Sequence, residues 1–229
     1  MAAHPLDNPF WSSLDSLHAM HALRSGEVAC YPADIAPFVG ASRADAFEPV
    51  ALSALMAPGE ARLILGVFPD IAPAGWEIER FPDLLQMVCE SPLPAIDGPE
   101  VVALDANQPQ DVLALTALVY PHYFRPRTMV RGDYFGLRPR QWLEAMAGER
   151  LGMPGWREMS AICTHPEALG RGHARRLTTF LTNRTHARGD VPFLHVSPDN
   201  ARAVELYRRL GYRLRRTLPF AALRRQQAA

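Results

Sequence analysis

The most restrictive feature of this sequence is a glycine-rich turn that joins a predicted strand to a predicted helix. The strand pattern runs over residues 158–164, Gly170 and Gly172 follow it, and a helical pattern extends from about Gly172 to Arg188. A helix that begins directly after such a turn exposes unpaired backbone N–H groups and the positive end of its macrodipole. Because glycine has no Cβ, phosphate oxygens can approach these amides closely. The turn therefore predicts a cradle for a pyrophosphate group, with added positive charge from three arginines: Arg171, Arg175 and Arg176.

A plain strand-to-helix turn would also explain two glycines, so a second motif matters. In the segment 196–212, Asp199 or Asn200 is placed to cap a helix, and Gly211 is placed to end it. The apolar face of this helix is formed by three residues: Ala203, Leu206 and Leu210. Taken alone, the segment predicts an ordinary amphipathic helix of about three turns.

The C-terminal half of the chain shows a regular order of elements behind a proline-rich boundary. A helix is predicted over 110–120, and three short strands over 134–138, 142–147 and 158–164 predict an antiparallel meander. A helix, a strand, a helix and a last strand follow. The segment 91–99 contains three prolines and a glycine and predicts a domain boundary. We therefore expect an accessory domain over 1–95 and a main domain over 100–229.

The N-terminal half offers elements but no visible chemistry. The run 63–68 predicts a buried strand, and the run 84–89 predicts a strand or a short helix. His18 and His21 could share one face of a helix, but no third ligand accompanies them, so no metal site is predicted. The expected fold is thus α/β (α+β), with a mixed, mostly antiparallel sheet flanked by helices and a smaller N-terminal α/β domain.

Charge and cysteine content narrow the class of protein. All 24 basic residues are arginines, and they balance 24 acidic residues, but acidic side chains dominate residues 1–98 and arginines dominate residues 99–229. A basic half indicates an anionic partner, which charge alone cannot identify. The three cysteines, Cys30, Cys89 and Cys163, form no pairing or zinc pattern, which favours a reducing cytoplasm. No stretch is apolar enough for a membrane span, and we expect no targeting segment.

Together, the two motifs resemble those of the GNAT superfamily of acyl-coenzyme A-dependent N-acetyltransferases. The segment Leu169-Gly-Arg-Gly-His-Ala174 is similar to the family's Arg/Gln-x-x-Gly-x-Gly/Ala pyrophosphate loop, although Leu169 stands where Arg or Gln is usual. The second motif is similar to Asn-x-x-Ala-x-x-Leu-Tyr-x-x-x-Gly-Phe/Tyr, which is met at six positions: Asn200, Ala203, Leu206, Tyr207, Gly211 and Tyr212. The resemblance covers about residues 100–226. The long antiparallel segment 142–164 looks most like the glycine N-acyltransferase-like branch.

The resemblance implies a binding site for acetyl-coenzyme A (acetyl-CoA) as co-substrate, with no metal. In the family, the strand before the loop splays from its neighbour and binds the pantetheine arm and the acyl carbonyl, here at Ile162, Cys163 and Thr164. The loop binds the pyrophosphate through residues that run from Leu169 to Arg175: Leu169, Gly170, Arg171, Gly172, His173, Ala174 and Arg175. Asn200 matches a position that contacts the pantetheine arm, and N-capping is an equal explanation for it.

The resemblance also implies direct attack of a primary amine on the thioester. Tyr207 matches the family's general acid at the coenzyme A sulfur, and Glu158 matches a common position for the base that removes the amine proton. We expect burial to raise the pKa of Glu158 toward neutrality. A covalent intermediate on Cys163 is disfavoured, because no base is linked to it in the sequence.

The acceptor is expected to be a small-molecule amine or an amino-acid-like compound. The segment Tyr120–Arg127 matches one wall of the family's acceptor pocket, and its arginines could bind a carboxylate, or the segment could pack on the N-terminal domain. That domain could shape the acceptor site or form a homodimer contact. The competing interpretation is a catalytically silent acyl-CoA-binding regulatory module, favoured by Leu169. Nucleic-acid and membrane partners are not expected, because the arginines are dispersed and no nucleic-acid motif is present.

Overall fold

The computed structural model describes residues 4–107, 109–119 and 123–227. The α-helices of these residues are α1 (Pro9–Leu14), α2 (Pro49–Ser53), α3 (Gln110–Val119), α4 (His173–Ala187) and α5 (Ala201–Leu210). The strands are β1 (Leu23–Ser25), β2 (Val28–Cys30), β3 (Val39–Ala41), β4 (Ala61–Leu65), β5 (Trp76–Val88), β6 (Val101–Ala103), β7 (Tyr134–Leu137), β8 (Ala145–Met153), β9 (Trp156–Thr164), β10 (Val191–Val196) and β11 (Arg213–Arg225). No helix of the described residues is both long and apolar enough to cross a membrane.

An eight-stranded sheet forms the centre of the molecule, with the order β4-β11-β5-β10-β9-β8-β7-β6. All its neighbouring strands are antiparallel except β9 and β10, which pair in parallel. A three-stranded sheet of β1, β2 and β3 lies beside it. The predicted mixed, mostly antiparallel fold with flanking helices is confirmed, as are the β7-β8-β9 meander and the order of elements after it.

The main sheet crosses the predicted domain boundary. The boundary falls in the connection between β5 and β6, but β5 lies between β10 and β11, and β4 pairs with the other side of β11. The two strands predicted in the N-terminal half therefore join the sheet of the C-terminal half instead of forming one of their own. The pairing could not be read from the sequence, because Leu85 meets Val196 and Thr217, residues that lie far along the chain.

The parallel strands β9 and β10 diverge halfway along their length. Their ladder ends at the pair Glu158 and Phe193, yet β9 continues to Thr164 and β10 to Val196. Beyond that point β9 still pairs with β8 on its other side. A gap therefore opens in the middle of the sheet, and α4 and α5 begin beside it.

The two helices at the gap begin in different ways. The Asn200 side chain caps α5 by accepting a hydrogen bond from the Ala203 N–H at 3.1 Å, and Gly211 ends that helix in the left-handed conformation. Gly172 precedes α4 in the left-handed conformation, and no side chain caps this helix. The first N–H groups of α4 are therefore available to a ligand.

Candidate active site

A cleft follows the gap between β9 and β10 and reaches the start of α4. Its outer part, a cavity of about 470 Å³, is lined by all the residues that the sequence predicted for the cofactor except Arg176: Ile162, Cys163, Thr164, Leu169, Gly170, Arg171, Gly172, His173, Ala174, Arg175 and Asn200. These residues come from β9, from the turn before α4 and from the start of α5, so three separate segments converge on one cavity. Their convergence is the arrangement that a long, phosphorylated ligand requires.

The turn before α4 has the geometry expected of an anion cradle. Gly170 and Gly172 have φ values of 80° and 79°, in the left-handed region that favours glycine, and a Cβ at either position would meet no atom within 4 Å. The turn therefore borders open space. Leu169 lies in the same turn with 53% of its surface exposed, so the residue that departs from the family pattern faces solvent and not the core.

The buried carboxylate of Glu144 binds one side chain of this turn and one at the start of α4. Glu144 Oε2 accepts hydrogen bonds from Arg171 Nη1 at 2.8 Å and from His173 Nε2 at 2.9 Å. Burial alone would raise the pKa of Glu144, but the hydrogen bonds from His173 and Arg171 lower it. Glu144 is fully buried, so it fixes the position of both residues at the entrance to α4.

The arginines near the turn play different parts. Arg176 was predicted to add charge to the cradle, but its guanidinium binds the backbone carbonyls of Ile96 and Pro99 and so anchors the proline-rich connection. Arg171 is tied to Glu144, whereas the exposed side chains of Arg175 and Arg202 line the cavity. Arg202 was not predicted, because it lies outside the glycine-rich motif, 28 positions after Ala174.

A bulge in β9 shapes the inner wall of the cleft. The pairing with β8 jumps from Met146 and Cys163 to Gly148 and Ser160, and Ala161 inside the bulge has a φ of 51°. A positive φ is uncommon for a residue with a Cβ and costs about 1–2 kcal/mol. The surrounding structure holds this conformation at the point where the strand turns toward the cleft.

Tyr207 lies where the outer cavity meets an inner one. The inner cavity of about 380 Å³ shares six lining residues with the outer cavity: Val119, Ile162, Cys163, Asn200, Ala203 and Tyr207. Tyr207 is 8% exposed and packs against Tyr212, with ring centroids 5.9 Å apart. The cleft is therefore continuous, and the tyrosine predicted as general acid lies at its midpoint.

The N-terminal half supplies most of the far wall of the inner cavity, and Phe220 from β11 completes it. That wall consists of apolar side chains from α1, β4, β5, β11 and the residue before β3: Phe10, Phe38, Leu63, Leu65, Leu84 and Phe220. Phe10 and Phe38 stack with ring centroids 4.4 Å apart. The sequence showed no chemistry in this half, and its contribution depends on the strand pairing described above.

Glu158 lies beneath the lining of the inner cavity, where it contacts the lining residues Arg150 and His195, and its environment differs from the expected one. The carboxylate is fully buried and forms a two-pronged ion pair with Arg150, through Nε and Nη2, and a hydrogen bond of 2.7 Å with His195 Nδ1. Burial alone would raise its pKa, but the Arg150 charge and the hydrogen bonds from Arg150 and His195 lower the pKa to about 2. The expected rise toward neutrality is therefore wrong, and both carboxylate oxygens already have partners.

The orientation of His195 is set by a chain of buried polar groups. Gln86 donates from Nε2 to the Leu6 carbonyl at 2.8 Å and accepts at Oε1 from Arg215 at 2.8 Å, so its amide orientation is fixed. The Gln86 nitrogen therefore faces His195 Nε2, 3.0 Å away, and this ring nitrogen must accept. It follows that His195 carries its proton on Nδ1 and donates it to Glu158.

Cys163 lines both cavities as a protonated thiol. It is 7% exposed, and burial raises its pKa to about 12. Among the described residues, no group of three or more His, Cys, Asp and Glu side chains is arranged to hold a metal ion.

The predicted acceptor segment lies only partly within the described residues. Residues 120–122 fall outside them, and Tyr123 lines the inner cavity. Arg127 pairs with Asp34 at 3.1 Å, and Arg131 is buried against the rings of Tyr31 and Phe38. These two arginines contact the N-terminal part of the chain, which is the second of the two arrangements that the sequence left open.

Two residues that line the inner cavity, Arg150 and His195, were not predicted, although the sequence contains a signal for each. Arg150 and Glu158 lie on either side of the β8–β9 hairpin, whose two-residue loop, Pro154 and Gly155, was recognisable as a turn. His195 interrupts an otherwise apolar strand, which marks a polar group that needs buried partners.

Comparison with known proteins agrees with this architecture. A family model described as FR47-like protein matches residues 134–220. A solved structure from Novosphingobium aromaticivorans DSM 12444, assigned to the GNAT family of acetyltransferases, is 33% identical, with a TM-score of 0.87 over 99% of this chain and 100% of that one. A GCN5-related N-acetyltransferase from Kribbella flavida is 18% identical, with a TM-score of 0.62 over 96% and 95% of the two chains. No curated protein matches the chain.

The fold is therefore that of the GNAT acetyltransferases. Since the Novosphingobium protein is 33% identical over 99% of this chain, the chain belongs to the GNAT family.

Proposed function

We propose that this protein transfers an acetyl group from acetyl-CoA to a primary amine by direct attack. The observation that carries the proposal is the continuous cleft, in which an uncapped helix start, a diverging strand pair and Tyr207 meet. Enzymes of the family use acetyl-CoA, and the open space beside Gly170 and Gly172 fits a pyrophosphate.

The residues of the outer cavity would hold the co-substrate. The first N–H groups of α4 would bind the pyrophosphate, with Arg171 fixed by Glu144 and with Arg175 free to add a charge-assisted contact. The unpaired edge of β9 at Ile162–Thr164 would bind the pantetheine arm, with Asn200 opposite. Bound acetyl-CoA supplies an activated thioester carbonyl and a thiolate leaving group.

Tyr207 would act as the general acid. A C–N bond forms and the C–S bond breaks, the Tyr207 hydroxyl gives its proton to the departing sulfur, and the proton lost from nitrogen returns to the tyrosine through solvent. In place of the base role predicted for Glu158, we propose that Glu158 positions Arg150 and His195, because neither of its oxygens is free to take a proton. The high pKa of Cys163 supports direct transfer without a cysteine intermediate.

A catalytically silent acyl-CoA-binding module is the second candidate. It is favoured by Leu169 in the loop and by the paired carboxylate of Glu158, the residue predicted as the base. A finer placement near the glycine N-acyltransferase-like branch is supported by the long β8–β9 hairpin and stays a prediction.

The first test is a calorimetric titration with acetyl-CoA and with coenzyme A, followed by a thiol-release assay over a panel of primary amines. We expect micromolar binding of both compounds and thiol release with one class of amine. Binding without release over the whole panel would favour the silent module, and absence of binding would reject both candidates.

The role of Tyr207 is tested by Tyr207→Phe. We expect coenzyme A affinity to be unchanged and turnover to fall by about 10²- to 10⁴-fold, the range typical of lost proton transfer. Tyr212→Phe is the matched control, because it removes the hydroxyl of the adjacent buried tyrosine, which bonds Thr182 at 2.7 Å. The control should lower stability and leave turnover intact. Equal turnover of the wild type and Tyr207→Phe would assign the proton donor elsewhere.

A further inference from the structure

The inner cavity carries information on the acceptor, which the family relationship does not provide. Its far wall is the set of six apolar side chains named above, from Phe10 to Phe220, and its polar lining residues are Tyr123, Arg150, Ser160, His195, Ser197, Asn200 and Tyr207. An acceptor that enters this cavity would have to bury apolar surface against that wall.

The charged residues of the cleft also bear on the class of acceptor. Among the described residues that line its two cavities there is no aspartate or glutamate, and the residues outside the description include none either. Arg150 is the charged side chain among the described residues of the inner lining, and it is paired with Glu158, whose carboxylate also accepts a hydrogen bond from His195. An ammonium group in the inner cavity would therefore lose its hydration without gaining a counter-ion.

From these two observations we infer that the acceptor is an amine on an apolar body, bound as the neutral free base, with no second cationic group. The inference rests on the proposed function and adds the substrate class to it. Because an ammonium group in the cavity would lose its hydration without gaining an unpaired carboxylate, the cavity itself shifts the amine toward its reactive, neutral form. Such a site needs no carboxylate base, which agrees with the engaged state of Glu158.

Polyamines and other polycationic acceptors are thereby excluded. A diamine would have to leave a second ammonium group against the apolar wall, where burial of an unpaired charge is costly. The competing use of the same apolar space is a longer acyl chain on the thioester, and the experiment must separate the two.

The test compares n-hexylamine with 1,6-diaminohexane, which share length and primary amine and differ in the second charge. At pH 7.5, with acetyl-CoA, we expect kcat/KM for hexylamine to exceed that for diaminohexane by at least about tenfold. We also expect kcat/KM for hexylamine to rise about tenfold per pH unit below the pKa of the amine, because only the free base binds. Calorimetric titration of each amine into the protein with coenzyme A bound should give the same ranking without turnover.

A substitution in the far wall of the inner cavity tests whether the lack of a carboxylate there determines the preference between the two amines. Leu84→Asp places a carboxylate on the half-buried part of β5 that lines the cavity, and Leu84→Asn is a control of equal size without the charge. We expect the aspartate variant to raise the ratio of kcat/KM for diaminohexane to kcat/KM for hexylamine by at least about tenfold. The asparagine variant should keep the wild-type ranking. Leu63→Asp and Leu63→Asn, on the half-buried part of β4, form a second pair if the first does not fold.

Three results would overturn the inference. The first is equal or better use and binding of diaminohexane by the wild type, and the second is an identical ranking in the aspartate and asparagine variants. The third is a change in the preference between hexanoyl-CoA and acetyl-CoA in these variants with an unchanged amine ranking, which would assign the cavity to the acyl chain. Hexylamine binding without thiol release would instead reject the proposed function and retain the ligand class.

Discussion

His18, for which the sequence predicted no metal site, is part of a buried polar cluster that joins the N-terminal segment to the main sheet. Its Nδ1 lies 2.8 Å from Tyr31 Oη and 3.0 Å from Ser13 Oγ, and Ser13 Oγ accepts the Gly152 N–H of β8 at 3.2 Å. Burial lowers the pKa of His18 to about 3, and nearby positive charges, with Arg131 the largest, act in the same direction. The folded protein therefore holds this imidazole in its neutral form.

We predict that stability falls as the pH drops from about 6.5 to about 3, because the unfolded chain takes up a proton at His18 that the folded chain refuses. This one group contributes a slope of about 1.4 kcal/mol per pH unit within that window. Urea unfolding over a pH series measures it. His18→Gln should be less stable at pH 8 and show a flatter slope. Ser13→Ala is the control, since it removes a hydrogen bond to the same ring and keeps the slope. An unchanged slope in His18→Gln would show that His18 titrates normally.

Glu158 marks the limit of sequence reasoning at this scale. The sequence placed it correctly in the strand that leads to the cleft, four positions before Ile162. The pKa of a carboxyl group depends on the charges and the hydrogen-bond donors within a few ångströms, and here one of the donors, His195, lies 37 positions further along the chain. The direction of the pKa shift of Glu158 could therefore be judged only after β9 and β10 were known to pair.

At the scale of elements, the proposed binding of acetyl-CoA depends on the start of α4. Gly172 has left-handed backbone and borders open space, and so does Gly189, directly after the C-terminal end of the same helix, with a φ of 82°. The two glycines share their conformational demand, but only Gly172 lines the cleft.

We predict that Gly172→Ala and Gly189→Ala each lower the free energy of unfolding by about 1 kcal/mol, because both force a Cβ into left-handed backbone. Only Gly172→Ala should weaken coenzyme A binding, by at least about tenfold, since its methyl group would occupy the cradle. Thermal denaturation and calorimetry measure the two effects separately. If both variants bound coenzyme A as tightly as the wild type, the pyrophosphate would have to lie elsewhere.

The local elements were predictable because their determinants are local. Caps and glycine stops gave α4 and α5 within a few residues, whereas β8, predicted over 142–147, extends over Ala145–Met153. The strand β5 was only half recognised, since Pro82 interrupts its pattern. In the structure Pro82 and Pro219 fall where the pairing of β5 and β11 shifts register, which is a position that tolerates a missing N–H. Short β6 was missed because three residues carry too little pattern.

At the scale of the whole molecule, the N-terminal and C-terminal halves share both a sheet and a core. One apolar cluster contains Leu6 and Phe10 from the N-terminal segment, Val88 from β5, Phe193 from β10 and Leu218 from β11. The proline-rich connection is fastened to α4, because Asn183 exchanges two hydrogen bonds with Leu93 and Arg176 binds two further carbonyls. The inner cavity, which we propose as the acceptor site, is lined by residues of both halves, because the sheet combines strands from both.

We therefore predict that residues 100–229 do not fold alone, in spite of the prolines that suggested an independent domain. Without β5, strands β10 and β11 lose the strand that joins them, and the buried faces of Phe193 and Leu218 lose their apolar partners. Far-UV circular dichroism and urea unfolding of the fragment should show no cooperative transition. In the matched control, a protease site inserted between Ala95 and Ile96 of the full chain is cut after folding. The two pieces should then co-elute in size exclusion and keep coenzyme A affinity, because the sheet and not the peptide connection holds them together. A fragment with a cooperative transition, or pieces that separate without denaturant, would restore two independent domains and would leave the acceptor wall as an interface between them.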